Sequence, residues 1–247
     1  MNTIKQELEG ELGYTKVSFG SDELETLRKF IRMQWLNRIR EFAPAQAGQF
    51  ANLPMDRYHE LSCLIDHKNA WPKLHRILEP NAVREIRKLP AMAKIEQEFG
   101  RFKISDEENL GWENIYWRLV RPNSASDVGP MHADRWFWDL GHGITPPNTK
   151  RVKVWIAIFC EKGQAGFRLV PGSHRKEWPH HGEHRDGFVK PQIDVSDDQL
   201  DIKMFDSEPG DAIVFNDQLL HGGAIGGALS RVSLEFTLFV QNDRYYH

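Results

Sequence analysis

Residues 151–160 read RVKVWIAIFC, a run dominated by β-branched and aromatic side chains. Such a composition, bounded by Pro146-Pro147 and Gly163, predicts a β-strand. The same texture continues on both sides. Tyr116, Arg118 and Val120 alternate with Ile115, Trp117 and Leu119, and the runs 166–170, 212–215 and 231–240 read alike. Turn signals separate them: Pro122-Asn123, Pro171-Gly172, Pro209-Gly210-Asp211 and Gly222-Gly223. Upstream the period changes. Leu24, Leu27, Ile31, Trp35 and Ile39 recur at helical spacing. Asp22, with Glu25 three residues on, is the expected cap of that helix, and Pro44 lies just beyond its end. A second helical stretch is expected through the fifties to seventies, interrupted by Pro72. A third, with Val83, Ile86 and Leu89, stops at Pro90, and a fourth, with Met92, Ile95 and Phe99, stops at Gly100. Helices first and many short strands after predict an α+β chain whose C-terminal half is a sandwich or barrel. The expected organisation is one domain over 1–247. Residues 1–110 would be mainly helical and pack on a β core at 111–240, with a long loop at 174–198.

Composition narrows the function. Among 247 residues, 32 Lys and Arg against 35 Asp and Glu leave a net charge of −3, so no bulk positive field exists to hold a nucleic acid. No apolar run approaches the roughly 18 residues of a membrane span. The charged N-terminus lacks the apolar segment of a signal peptide. Two cysteines, Cys63 and Cys160, form neither a disulfide framework nor a four-thiolate zinc site, which suits a reducing, cytoplasmic location. The expected partner is a small molecule, and the sequence sets no oligomeric state.

Histidine and acid positions carry the chemistry. His132 and Asp134 are two residues apart, and in an extended segment they would project to one face. An imidazole and a carboxylate so placed can grip one metal ion. His221, followed by Gly222-Gly223, is the later histidine that would complete two histidines and one carboxylate. That set occupies one face of an octahedral ion and leaves three positions open, as in non-haem iron(II) oxygenases. Ten residues beyond His221, Arg231 stands in an otherwise apolar strand, with Ser233 on the same face. A buried guanidinium needs an anionic partner. Arg231 and Ser233 form either a carboxylate receptor or, more simply, a structural pair with an internal acid such as Glu235.

Four blocks carry a resemblance: GPMHAD (129–134), VWIAIF (154–159), GFRLVPGSH (166–174) and GDAIVFNDQLLHGGAIGGALSRVS (210–233). In order and spacing the chain resembles the phytanoyl-CoA dioxygenase family of iron(II)- and 2-oxoglutarate-dependent oxygenases, over roughly residues 112–240. The resemblance implies a double-stranded β-helix, a jelly-roll-like pair of sheets flanked by N-terminal helices. It implies iron(II) on His132, Asp134 and His221, and 2-oxoglutarate held by Arg231 and Ser233, with O2 as the other co-substrate. Succinate and CO2 would be co-products of a hydroxylation. Asp134 favours that outcome over halogenation, since halogenating members carry a small residue there.

Other positions have competing readings. Trp155 stands where the family places a wall of the 2-oxoglutarate pocket, or it is core. His174 shapes a turn, or touches substrate. His180, His181 and His184 belong to a solvated loop rather than a second metal site. Arg135, Trp136, Phe137 and Trp138 follow the HxD directly, and strand alternation would put Trp136 and Trp138 on the metal face and Phe137 away from it. Arg118 and Arg168 are charges within strand patterns and candidate substrate contacts, while Gln164 and Arg175 are candidate mouth residues. A polar, even anionic substrate is expected, such as an acidic sugar, a lipopolysaccharide sugar or a natural-product intermediate. The competing classes are a cupin-like isomerase or dioxygenase without 2-oxoglutarate, and a non-catalytic module of the same fold; neither needs Arg231 with Ser233.

Overall fold

The chain begins with α1 (Ile4–Glu9), β1 (Tyr14–Ser18) and α2 (Ser21–Phe42) in the computed structural model, which describes residues 3–163, 166–185 and 187–242. Gln164 lies outside the described residues. The apolar stripe Leu24, Leu27, Ile31, Trp35 and Ile39 is the buried face of α2, and the helix stops at Phe42, ahead of Pro44. Its cap is Gly20 rather than Asp22: the Glu23 carboxylate accepts the Gly20 N–H at 2.7 Å, so the helix starts earlier. β1 is a strand within the otherwise mainly helical N-terminal region that the sequence pattern did not show. Five residues are too short for a pattern to show, and pairing with a distant strand, not local propensity, makes them extended.

The expected second helix is also corrected. Residues 47–76 form α3 (Ala47–Ala51), α4 (His67–Ala70) and short 3-10 turns. Pro54 and Pro72 remove backbone donors, and arginines of α2 bind the free carbonyls instead, Arg32 those of Ala51 and Leu53 and Arg38 that of Ala70. α5 (Pro80–Ile86) and α6 (Pro90–Phe99) each take a proline at the first position, where its missing N–H costs nothing.

The strands follow: β2 (Lys103–Ile104), β3 (Tyr116–Val120), β4 (Thr149–Phe159), β5 (Phe167–Leu169), β6 (His180–Arg185), β7 (Phe188–Ile193), β8 (Lys203–Met204), β9 (Asp211–Asn216), β10 (His221–Gly223) and β11 (Arg231–Gln241), with α7 (Asp134–Asp139) between β3 and β4. The large sheet runs β1-β9-β4-β11-β2, with β3 also paired to β11, and β10-β5-β8 forms a second sheet. This is a double-stranded β-helix with helices on one side. The 174–198 segment is not a plain loop: it contains the hairpin β6-β7, with six cross-strand pairs from His180↔Ile193 to Arg185↔Phe188.

Strand alternation sorts the core. Val152, Val154, Ile156 and Ile158 of β4, with Val232, Leu234, Phe236 and Leu238 of β11, pack outward on α2, α5 and α6. The intervening residues face the space between the sheets, where Trp155, Ala157, Phe167, Ile213 and Phe215 form a second cluster. Inward positions of β11 are Arg231, Ser233, Glu235 and Thr237, and of β4 Lys153 and Trp155. Polar groups therefore line part of a face that is otherwise apolar. Trp35, fully buried and edge-on to Phe50 at 5.8 Å and Tyr58 at 6.4 Å, ties α2 to the turns beneath it. Trp35→Ala should lose about 3–5 kcal/mol of stability in chemical denaturation.

Candidate metal and co-substrate site

His132 and His221 are neighbours because their backbones exchange two hydrogen bonds, His132 N–H to His221 O and His221 N–H to His132 O, each 2.9 Å. Residues paired in this way direct their side chains to one face, and the two rings lie 4.5 Å apart. Each Nδ1 faces a carbonyl two residues back, Pro130 O at 2.8 Å and Leu219 O at 2.9 Å. A carbonyl only accepts, so Nδ1 carries the hydrogen and each Nε2 keeps its lone pair for a metal. Burial pushes the His221 pKa down to about 4, so its ring is neutral at physiological pH. Phe167 stacks on it at 4.9 Å and Phe215 meets it edge-on at 4.8 Å.

Asp134 completes the group. It is the first residue of α7, so the HxD straddles a strand-like bridge and a helix start rather than lying in one extended segment. Its Oδ1 is 3.9 Å from His132 Nε2 and its Oδ2 3.3 Å from His221 Nε2. One donor atom from each of the three residues lies within 4.8 Å of the other two, and this is the metal-competent cluster among the described residues. Burial would raise the Asp134 pKa, but Lys153, His221 and His132 outweigh it and hold the carboxylate below its ordinary value. Oδ2 is buried without a hydrogen-bond partner. Two imidazoles that turn Nε2 toward a shared carboxylate with an unspent acceptor fit a divalent ion.

Arg231 is 1% exposed at the head of β11. Its Nη1 donates to Ser233 Oγ at 3.2 Å, while Nε and Nη2 are buried with no acceptor. Ser233, fully buried, spends its oxygen on Arg231 and keeps its proton to donate. Trp155 lies under the guanidinium, 5.9 Å from its centre. Gly223 permits the approach: a Cβ there would sit 3.2 Å from Arg231 Nη2 and 3.1 Å from Val128. Burial lowers the Arg231 pKa to about 10, which leaves it charged at neutral pH. The internal acid that might have neutralised it does not. Glu235 pairs with Arg118 instead, at 3.0 Å, and is held well below the usual carboxylate range against its burial by Arg118 and Lys153.

The family model for phytanoyl-CoA dioxygenase matches residues 62–225. The chain belongs to the phytanoyl-CoA dioxygenase family. It is therefore a non-haem oxygenase that uses iron(II) and 2-oxoglutarate, and the His132, Asp134 and His221 cluster accords with that chemistry. No curated protein matches the sequence. Solved structures match across nearly the whole chain at low identity and show the same fold. The non-heme monooxygenase ThoJ aligns with TM-score 0.57 and 14% identity, covering 96% of this chain and 77% of its own. EvdO2 from Micromonospora carbonacea var. aurantiaca, complexed with 2-oxoglutarate, aligns with TM-score 0.56 and 14% identity over 96% and 89%. The alpha ketoglutarate dependent carbocyclase SnoK from nogalamycin biosynthesis aligns with TM-score 0.54 and 12% identity over 99% and 92%.

The aromatic run after Asp134 is corrected. It is helical, so neighbours rotate about 100° per residue instead of alternating. Phe137 lies against His132, edge-on at 5.4 Å. Trp136 stacks on His180 at 4.2 Å, and Trp138 meets Phe239 at 5.6 Å. His180 is thus a packing partner of α7. His181 bonds Asp194 on the hairpin, and His184 stands on the same strand β6. His174 packs on Gly13, where a Cβ would come within 2.3 Å of the ring, so it belongs to the β5 turn and the N-terminal segment. Arg168 pairs with Asp197 at 2.8 Å, and Arg135 lies near Asp139 and Glu177.

Lys153 was missed. It is 9% exposed, and its Nζ lies 3.5 Å from Asp134 Oδ2. The signal was present in the sequence: a cation between Val152 and Val154 in the apolar part of a strand, the same argument that singles out Arg231. His132→Ala should abolish stoichiometric iron(II) binding in anaerobic calorimetry while leaving the metal-free fold intact by circular dichroism.

Proposed function

We propose that this oxygenase hydroxylates a small polar molecule, with iron(II) on His132, Asp134 and His221 and the distal carboxylate of 2-oxoglutarate on Arg231 and Ser233. The observation that carries the reading is the state of Arg231, a buried charge with two N–H groups aimed at no acceptor. Such a group is destabilising unless a ligand supplies the anion. A dicarboxylate does so with a bidentate pair, to which the Ser233 proton adds a third bond. A jelly-roll metalloenzyme without 2-oxoglutarate, or a non-catalytic module, has no use for this receptor.

Bound iron and 2-oxoglutarate supply the oxidising chemistry, with succinate and CO2 as co-products. The chain's own residues position and insulate. Trp155 gives the co-substrate a flat wall beside Arg231, and Phe167, Phe215 and Phe137 shield the two imidazoles from water. Asp134 supplies a carboxylate where a halogenating relative leaves room for halide, which favours hydroxylation.

The inner wall supports the reading of a polar substrate. Arg118 and Glu235 sit on inward positions of β3 and β11, yet keep 37% and 31% of their side-chain surface open. An accessible ion pair on the wall of the barrel suits a ligand with its own hydroxyl or charged groups. An acidic sugar, a lipopolysaccharide sugar or a natural-product intermediate meets this description, with Arg135 and Arg168 as further contacts. Among the described residues no helix is long and apolar enough to cross a membrane.

Arg231→Ala should weaken 2-oxoglutarate binding at least about thirtyfold, from the roughly 2–5 kcal/mol lost when one partner of a buried charge pair is removed. Arg231→Lys should restore it only in part, because an ammonium lacks the fork. Unchanged affinity in Arg231→Ala, measured calorimetrically, would sink the co-substrate assignment. A succinate-release screen over polar candidates, read with product mass, tests the rest. Hydroxylation adds one oxygen to the product, whereas a carbocyclase outcome such as that named for SnoK does not.

A further inference from the structure

A buried lysine requires an account, since an ammonium removed from water is strongly destabilising without anionic or hydrogen-bonding partners. Lys153 points into the barrel from β4, beside Thr237 in the β4–β11 register. Its Nζ donates to Thr237 Oγ1 at 2.9 Å. Thr237 in turn donates to Glu107 Oε1 at 2.7 Å, and Glu107 accepts from Ser105 and Tyr116 and pairs with the half-exposed Lys73. The lysine is thus tethered from behind by a chain of bonds that reaches the surface. Its remaining direction leads to Asp134 Oδ2 at 3.5 Å, the oxygen that no hydrogen bond satisfies.

We infer that Lys153 is a positioning residue of the metal site: its ammonium beside Oδ2 of Asp134 holds the carboxylate in one orientation and so would keep it from binding the metal through both oxygens. A carboxylate bound through one oxygen preserves three open positions on an octahedral ion, whereas one free to rotate can bind through both and fill another. Lys153 therefore keeps vacant a position that the 2-oxo acid needs. Thr237 and Glu107 hold the ammonium in place, much as outer partners orient ligands elsewhere. The inference rests on Asp134 being a ligand of the metal.

The test is a pair of anaerobic titrations of the full chain, iron(II) into the metal-free protein and 2-oxoglutarate into the iron-loaded protein, the latter followed by the visible charge-transfer absorption of the chelate. Lys153→Met should weaken 2-oxoglutarate binding on the order of tenfold. It should leave iron binding unchanged or tighter, because a cation near the dication is lost. Thr237→Val, which removes the tether and no charge, should move 2-oxoglutarate binding in the same direction. In an Asp134→Gly background, titrated at an iron(II) concentration that saturates its weakened site, the Lys153→Met change should have no further effect on 2-oxoglutarate, since the lysine acts through Asp134. Loss of both affinities in Lys153→Met would mark a merely structural role and overturn the inference. So would persistence of the effect in the Asp134→Gly background, which would place Lys153 directly on the co-substrate. Failure of Asp134 as a ligand would appear separately, as undiminished iron affinity in Asp134→Gly alone.

Discussion

Two backbone hydrogen bonds between His132 and His221 organise this molecule. They join a loop ahead of α7 to the short strand β10, and so bring together two imidazoles far apart in sequence. A hydrogen-bonded pair of this kind fixes the direction of both side chains without relying on either. The Nδ1 contacts to carbonyls then settle the tautomers. Asp134 needs no separate device, because α7 begins one residue beyond Ala133 and swings the carboxylate back toward the two rings.

The inward face of the large sheet is where stability and chemistry compete. One face of β4 and β11 is apolar from Val152 to Ile158 and from Val232 to Leu238 and is closed by the helices. The other carries Lys153, Arg231, Ser233, Glu235 and Thr237 among aromatic neighbours. Each charge there has a distinct settlement. Glu235 is balanced by Arg118, and Lys153 is shared between Thr237 and Asp134. Arg231 alone among these three is left with unspent donors. Buried polar groups are almost always satisfied, so the exception points to a ligand.

Much of the site was readable because its residues break local rules. Arg231 in an apolar strand, the close spacing of His132 and Asp134, and the glycines after His221 all conflict with simple packing. Lys153 breaks the same rule and could have been read in the same way. The aromatic run 136–138 was misread because a six-residue helix is too short to show its period. Strand β1 and the hairpin β6-β7 were missed for a related reason: a few residues made extended by a partner carry no strong pattern of their own.

The sequence alone determined the order of helices and strands, the buried stripe of α2, the apolar run of β4 and the identity of the three metal-competent side chains. These are properties of spacing and residue type, and they survive without knowledge of contacts. Only the tertiary structure decided which charge meets which. It paired Glu235 with Arg118 rather than Arg231, laid Phe137 instead of the tryptophans against His132, and set Lys153 behind Asp134. Those outcomes depend on strand register and on where a helix begins, and a shift of one residue in either would turn the same side chains to other neighbours.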